Sequence, residues 1–144
     1  MYKIILVTLD GTASDRALIE HVKLLAKQGQ SRLMLLHVAD GWAARIYGAD
    51  AVSPEITEDT AYLRRVQAEF NSAGIHAEIQ LAYGNPPEEV LKAAEALKCD
   101  LIAMAGHGHR LFGDILHGST ITQVRHRTLI PLLLVRAKKE QEPT

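Results

Sequence analysis

The stretch Ala105-Gly-His-Gly-His-Arg-Leu-Phe-Gly-Asp-Ile-Leu-His-Gly-Ser-Thr120 organises the chain. It follows the apolar run 101–104, which is typical of a buried strand, and it leads into residues 121–126, which can form a helix. The sequence therefore predicts a strand, a glycine-bearing loop and a helix start. Glycines allow a backbone to approach a ligand closely, and the free N–H groups of a helix start favour an anion. Phosphate is the natural candidate for this loop.

The glycine spacing separates this loop from the commoner phosphate-binding motifs. Neither Gly-x-x-x-x-Gly-Lys-Ser/Thr nor Gly-x-Gly-x-x-Gly after the first strand is present. Instead, Gly108 is followed by nine residues and then by Gly118 and Ser119, and Ala105 stands three positions before Gly108. This pattern resembles the nucleotide-binding signature of the universal stress protein family, Gly-x-x-Gly-(nine residues)-Gly-Ser/Thr. The chain departs from it at Ala105, where the family has a glycine. Alanine costs little there if its φ is negative, and more if the loop needs a left-handed residue.

Length and composition favour one domain with one core, assigned to residues 1–138, followed by a polar tail at 139–144. The 16 Lys and Arg residues nearly balance the 17 Asp and Glu residues, so no nucleic-acid partner is expected. No apolar run reaches the ~18 residues that span a membrane, and the first one is too short for a signal peptide. These features, with a single cysteine, predict a cytoplasmic protein without a membrane partner.

Apolar runs alternate with helical patterns along the chain. Continuous apolar segments at 3–9, 33–38, 101–104 and 131–135 are typical of strands buried on both faces of a parallel sheet, whereas 75–81 alternates as an edge strand does. Helices are predicted between these strands. The first is expected to begin with a capping box, the second to cover 56–73, the third to follow an N-cap and the fourth to include 121–126. The cap residues are Thr12 with Asp15, and Asn85 with Glu88.

This alternation predicts an α/β fold, a single-domain open five-stranded parallel sheet with helices on both faces. Placing 75–81 at an edge and the first, second and fourth strands in the centre gives the order 3-2-1-4-5. Open sheets of this kind bind ligands where the chain reverses direction, here between strands one and four. Asp10, at the end of strand one, is therefore expected beside the loop at 105–108. By resemblance the fold is Rossmann-like, of the adenine nucleotide alpha hydrolase type.

The family resemblance covers residues 3–135 and implies that this switch point holds ATP, with or without Mg²⁺. It implies that Asp10 and Val38 contact the adenine and its surroundings. Asp10 has an alternative role as a cap on the first helix, and Arg110 is as well placed for solvent as for a phosphate. The other residues that the resemblance assigns are walls beside the base, Leu9 and Met104, the phosphate path, Ala105, Gly108 and His109, and groups on the last helix, Gly118, Ser119 and Thr120.

Four histidines near the glycine loop raise the alternative of a metal site. They lack an evident cysteine partner, and Asp114 is the one carboxylate nearby, whereas zinc sites need three or four ligands of fixed geometry. No dedicated metal site is therefore expected, and no catalytic set accompanies the loop. The histidines are His107, His109, His117 and His126.

The sequence thus predicts a universal-stress-type protein that binds ATP or a related adenine nucleotide as a regulatory or stress-response module. One alternative is a nucleotide-free interaction module whose pocket is impaired by Ala105. Slow ATP hydrolysis or autophosphorylation, and a true ATP-using enzyme, are further alternatives. The long connection 39–55 is either a functional lid or a variable insertion.

Strand five is apolar although the predicted order places it at a sheet edge. Unpaired apolar edges promote association, and pairing with a second copy would cover this one. The family resemblance implies the same. A homodimer is therefore predicted through Leu132, Leu133, Leu134 and Val135.

Overall fold

Strands and helices alternate along the chain in the computed structural model. The model describes residues 1–39, 54–106 and 114–137, but not the side chains of 54–56 and 114–118. The connection 40–53, the loop 107–113 and the tail from 138 onward lie outside the described residues, and so do the predictions made for them. The elements are β1 (Ile4–Thr8), α1 (Asp15–Gly29), β2 (Arg32–Ala39), α2 (Pro54–Ser72), β3 (Ala77–Tyr83), α3 (Pro86–Ala96), β4 (Leu101–Gly106), α4 (Asp114–Arg127) and β5 (Leu132–Arg136).

All five strands form one parallel sheet in the order β3-β2-β1-β4-β5, which confirms the predicted topology. β1 lies at the centre, with Ile5 level with Leu33 of β2 on one side and with Leu101 of β4 on the other. The chain changes direction across the sheet between β1 and β4. The helices that follow these two strands, α1 and α4, pack on opposite faces of the sheet, which leaves a crevice at the carboxyl ends of the strands.

Each face of the sheet is covered by two helices. Ile5 and Val7 of β1 pack on the side of α1 and α2, where Leu18 and Phe70 are fully buried. Leu6 points to the opposite side, toward α3 and α4. This alternation explains why β1 is apolar at successive positions, since both of its faces are buried. Within the described residues, no helix is both long and apolar enough to cross a membrane.

The helix boundaries confirm some of the predicted signals and contradict others. α3 begins as predicted, with the Asn85 side chain accepting a hydrogen bond from the Glu88 N–H at 3.5 Å. The capping box predicted at Thr12 is wrong, because α1 has Ser14 at its N-cap with no side-chain bond to the helix. The last helix includes 121–126 but already begins at Asp114.

Candidate functional site

A cavity of about 360 Å³ opens at the carboxyl ends of β1, β2 and β4, at the switch point of the sheet. The turn after β1 forms one wall, and the first turns of α1 and α3 and parts of α2 and α4 complete it. The described residues that line it are Thr8, Leu9, Asp10, Asp15, Leu36, His37, Val38, Ala39, Asp59, Pro86, Val90, Met104, Ala105, Thr120 and Ile121.

Six of the ten residues predicted for the site line this cavity. They come from β1 and its turn, β2, β4 and α4, which are far apart in the sequence. The cavity-lining residues of the prediction are Leu9, Asp10, Val38, Met104, Ala105 and Thr120. Ser119 is exposed and accepts a hydrogen bond from Gln123 Nε2 at 3.0 Å, so its hydroxyl has a partner within α4. Gly118 lies in α4, whereas Gly108 and His109 fall outside the described residues.

Because α4 begins at Asp114, Gly118, Ser119 and Thr120 lie inside the helix rather than at its start. A helix leaves the N–H groups of its N-cap and of its first three residues without internal partners, and here the first three helical residues are 114–116. Gly118, Ser119 and Thr120 lie one turn later, where backbone N–H groups bond to the preceding turn. In this conformation the three residues do not lie at the helix start, and their part in phosphate binding stays a prediction. Thr120, which is buried, still lines the cavity.

Asp10 combines a place on the cavity wall with a local structural role. Its Oδ1 accepts hydrogen bonds from the backbone N–H of Thr12 at 3.1 Å and from the Thr12 hydroxyl at 2.7 Å. This is a side-chain-stabilised turn between β1 and α1. Asp10 therefore stabilises the turn before α1 rather than capping the helix, whose N-cap is Ser14, and it also lines the cavity.

Asp15 is the most unusual group of the site, because its carboxylate is fully buried. It accepts hydrogen bonds from the N–H groups of Asp10 at 3.1 Å and Gly11 at 2.9 Å, and from the Tyr62 hydroxyl at 2.7 Å. Burial, and then the charge of Asp10, raise the pKa of Asp15 from 3.8 to about 6. Burial and the bond to Asp15 raise the pKa of Tyr62 as well.

His37 and Asp59 form a second polar pair on the cavity wall. His37 Nδ1 lies 2.7 Å from the Leu9 carbonyl oxygen, and since a carbonyl only accepts, Nδ1 carries the proton. His37 Nε2 lies 3.3 Å from Asp59 Oδ2. The pair therefore connects the end of β1 to α2 through β2. Among the described residues, no group of three or more His, Cys, Asp or Glu side chains is arranged to hold a metal ion.

Ala105 occupies the position where the glycine motif departs from the family pattern. It lies in β4, paired with Val135 of β5. Among the described residues, the non-glycine residues with positive φ are Gln30 and Lys98, so Ala105 has a negative φ that any L-residue adopts. The backbone at this position does not require glycine.

Several residues that line the cavity were not predicted for the site from the sequence. Asp15 was assigned to a capping box, although its distance from Asp10 allows the bond to the turn that is observed. His37 interrupts an apolar strand, which was a usable signal, but its partner Asp59 is 22 positions away and no local pattern connects them. Pro86 and Val90 of α3 also line the cavity, because the topology brings the start of this helix to the switch point.

Comparison with known proteins identifies a single family. The sequence model of the universal stress protein family matches residues 1–136. Universal stress protein MJ0577 of Methanocaldococcus jannaschii is 26% identical over 157 residues, covering 96% of this chain and 97% of that protein. Its solved structure aligns with a TM-score of 0.79 over 97% of this chain and 99% of that chain, at 27% identity.

Two further solved structures share the fold at lower identity. One is the universal stress protein of Archaeoglobus fulgidus in complex with dAMP, with a TM-score of 0.70, 14% identity and coverage of 94% of this chain and 98% of that one. The other is a universal stress protein in complex with cAMP, with a TM-score of 0.68, 23% identity and coverage of 94% and 97%.

Proposed function

Because the chain belongs to the universal stress protein family, we propose that its switch-point cavity binds ATP or a related adenine nucleotide, and that the protein acts as a regulatory or stress-response module. One observation carries this proposal. Asp10, Val38, Met104 and Ala105, which were predicted from the sequence to surround the nucleotide, line one cavity at the switch point of the sheet.

The size and chemistry of the cavity suit the base and sugar of a nucleotide. Its volume of about 360 Å³ lies in the range of small-molecule sites, which is roughly 300–1,000 Å³. Val38, Val90 and Met104 supply apolar surface for a flat ring. The carboxylate of Asp10 can accept hydrogen bonds from an amine or a ribose hydroxyl. The dAMP and cAMP complexes of two proteins with this fold support an adenine nucleotide as the ligand.

We assign the phosphates of the nucleotide to the side of the cavity formed by the end of β4 and by α4. Residues 107–113 connect β4, which contributes Ala105 to the wall, to α4, which contributes Thr120. The assignment of Gly108, His109, Gly118 and Ser119 to the phosphate path is part of the proposal. Mg²⁺ would accompany the phosphates, and the described residues do not define a protein ligand for it.

The proposal also includes a cytoplasmic homodimer. β5 is an edge strand, and its Leu134 is 44% exposed. An edge strand offers unpaired backbone groups, and a second copy would cover both these groups and Leu134. The chain has one cysteine, Cys99, which is buried and cannot form an internal disulfide, and this suits a reducing compartment.

Calorimetric titration with ATP and Mg²⁺ tests the nucleotide proposal. We expect saturable binding by the wild type and at least tenfold weaker binding by Ala105→Leu, which adds side-chain volume to the cavity wall. Val38→Phe repeats the test from β2. Ala96→Leu makes the same change at an exposed position of α3 and is expected to bind like the wild type. Near-ultraviolet circular dichroism checks that each variant is folded.

The possible outcomes separate the functional alternatives. Absence of binding by folded, nucleotide-free protein would contradict the proposal and favour a nucleotide-free interaction module. Equal binding by the cavity variants and the wild type would place the ligand elsewhere. Steady release of ADP over many turnovers would identify an ATP-using enzyme, whereas a single slow turnover is compatible with a regulatory module.

A further inference from the structure

The Asp15 carboxylate joins three elements behind the nucleotide site. It is the first residue of α1, it holds two backbone N–H groups of the turn after β1, and it accepts the Tyr62 hydroxyl from α2. Gly11, one of the two turn residues, has φ +82°, a conformation that glycine adopts readily. The turn therefore depends on Asp15 for part of its geometry.

The turn held by Asp15 carries Asp10, the residue assigned to the nucleoside. The two carboxyl groups are close enough for the charge of Asp10 to raise the pKa of Asp15. Like charges at such a distance disfavour ionisation of both groups, so the pair takes up its first proton more readily than isolated carboxylates do. Three donors, the N–H groups of Asp10 and Gly11 and the Tyr62 hydroxyl, already bond to the Asp15 carboxylate. A proton on the pair leaves fewer oxygen lone pairs to accept hydrogen bonds.

Resting on the proposed function, we propose that Asp15 is a positioning residue that, with Tyr62, holds Asp10 against the bound nucleoside, and that uptake of one proton by the Asp10–Asp15 pair weakens nucleoside binding. The ionised pair accepts the turn N–H groups, the Tyr62 hydroxyl and a hydrogen bond from the ligand. The singly protonated pair has one acceptor position fewer, so the hydrogen bond from the ligand competes with those from the turn and from Tyr62. Affinity therefore falls as the pH decreases.

Other ionisable groups near the pair could produce a similar profile and have to be separated from it. Arg16 on α1 and Tyr62 on α2 lie close to the pair, and β2 and α2 contribute a histidine and a carboxylate to the same cavity. The described cavity residues of β4, α3 and α4 are apolar or carry a hydroxyl. The groups to be distinguished are Asp10, Asp15, Arg16, His37, Asp59 and Tyr62.

Titration with adenosine between about pH 5 and pH 8 tests this proposal, because adenosine has no group of its own that ionises in that range. With half-protonation near pH 6, about one tenth of the molecules are ionised at pH 5. The affinity of the wild type is therefore expected to be about tenfold lower at pH 5 than at pH 8. Asp15→Asn, which cannot ionise, is expected to give a flat profile.

Two further variants identify the titrating group. Tyr62→Phe removes a hydrogen bond that lowers the pKa of Asp15, so its affinity midpoint is expected to move to higher pH. His37→Gln keeps a donor for the Leu9 carbonyl without an ionisable ring, and the pH midpoint of its affinity is expected to match that of the wild type, whatever its affinity at pH 8. If Asp15 had only a structural role, Asp15→Asn would bind adenosine more weakly than the wild type by the same factor at every pH.

The outcomes distinguish this inference from the proposed function. A wild type that binds adenosine with a flat profile, an Asp15→Asn variant that keeps the wild-type slope, or a slope lost only in His37→Gln would each overturn the role of Asp15. Failure of both adenosine and ATP to bind at pH 8 would overturn the proposed function, and the inference with it.

Discussion

At the scale of single residues, Ala105 is the position where the family motif calls for glycine but the backbone conformation does not require it. The family pattern has glycine there, yet the residue lies in a strand with negative φ. Ala105→Gly is therefore expected to change ATP affinity by less than about threefold, since neither backbone strain nor steric overlap is relieved. Calorimetry on the two proteins measures this. A gain of tenfold or more would instead support the impaired-pocket alternative.

Asp15 also makes a prediction for stability in the absence of ligand. Its pKa is about 6 in the folded protein against an ordinary value of 3.8, so between these pH values the folded state binds more protons than the unfolded state. The free energy of unfolding should therefore fall as pH rises from about 4 to about 6, by on the order of 2 kcal/mol from this group. Urea unfolding across this range measures the slope.

Asp15→Asn is the matched control for this stability slope. It removes the ionisation while keeping the size of the side chain, so its unfolding free energy should vary less with pH in this window. An unchanged slope in the variant would contradict the assignment. The role of Asp15 was not predictable from the sequence, because Asp-Gly-Thr-Ala-Ser-Asp is equally compatible with a capping box.

At the scale of elements, α1 and α2 are connected across the sheet face by ion pairs. Glu69 of α2 accepts from Arg16 and from Lys23, the latter at 2.7 Å. Its hydrogen bonds with Arg16 and Lys23 lower the pKa of Glu69 from 4.5 to about 2. The stabilisation is thus present above about pH 4.5 and is lost as pH falls toward 2.

Glu69→Gln is expected to lower the free energy of unfolding at neutral pH by no more than about 1 kcal/mol, because the Glu69 side chain is 32% exposed and solvent screens the pair. Urea unfolding at low and high salt measures the effect, which should shrink with added salt. Glu95→Gln, at an exposed position of α3, is the control. A salt-independent loss would contradict an electrostatic origin.

The elements themselves were largely predictable, since their hydrophobic periodicity is strong. The exception is the start of α4. Glycine costs about 1 kcal/mol in a helix relative to alanine, so local propensity favoured a loop through Gly118. In the fold, Thr120 and Val124 are buried, and this packing holds the helix. Local sequence carries no direct record of such tertiary contacts.

At the scale of the whole molecule, the topology creates the site. Asp10, Val38 and Met104 come from three separate strands or their ends, and the strand order alone brings them together. That part of the site was predictable, because the switch-point rule depends on strand order. The His37–Asp59 pair was not, because it depends on how α2 packs over the sheet.

The exposed edge strand β5 predicts that two copies of the chain associate as a dimer. Leu132, Leu133 and Val135 are half-buried against the two cores, so Leu134 is the residue of this strand with a large exposed apolar surface. The wild type is expected to sediment as a dimer at micromolar concentration, and Leu134→Lys as a monomer, because a lysine on each copy would repel across a twofold interface.

Leu24→Lys is the matched control for the assembly experiment, since Leu24 is 67% exposed and belongs to α1 rather than to the edge strand β5. It is expected to remain dimeric, and both variants should keep the far-ultraviolet circular dichroism of the wild type. A monomeric wild type would remove the edge-pairing proposal. A dimer that survives Leu134→Lys but dissociates in Leu24→Lys would move the interface to α1, because only that face would then be needed for association.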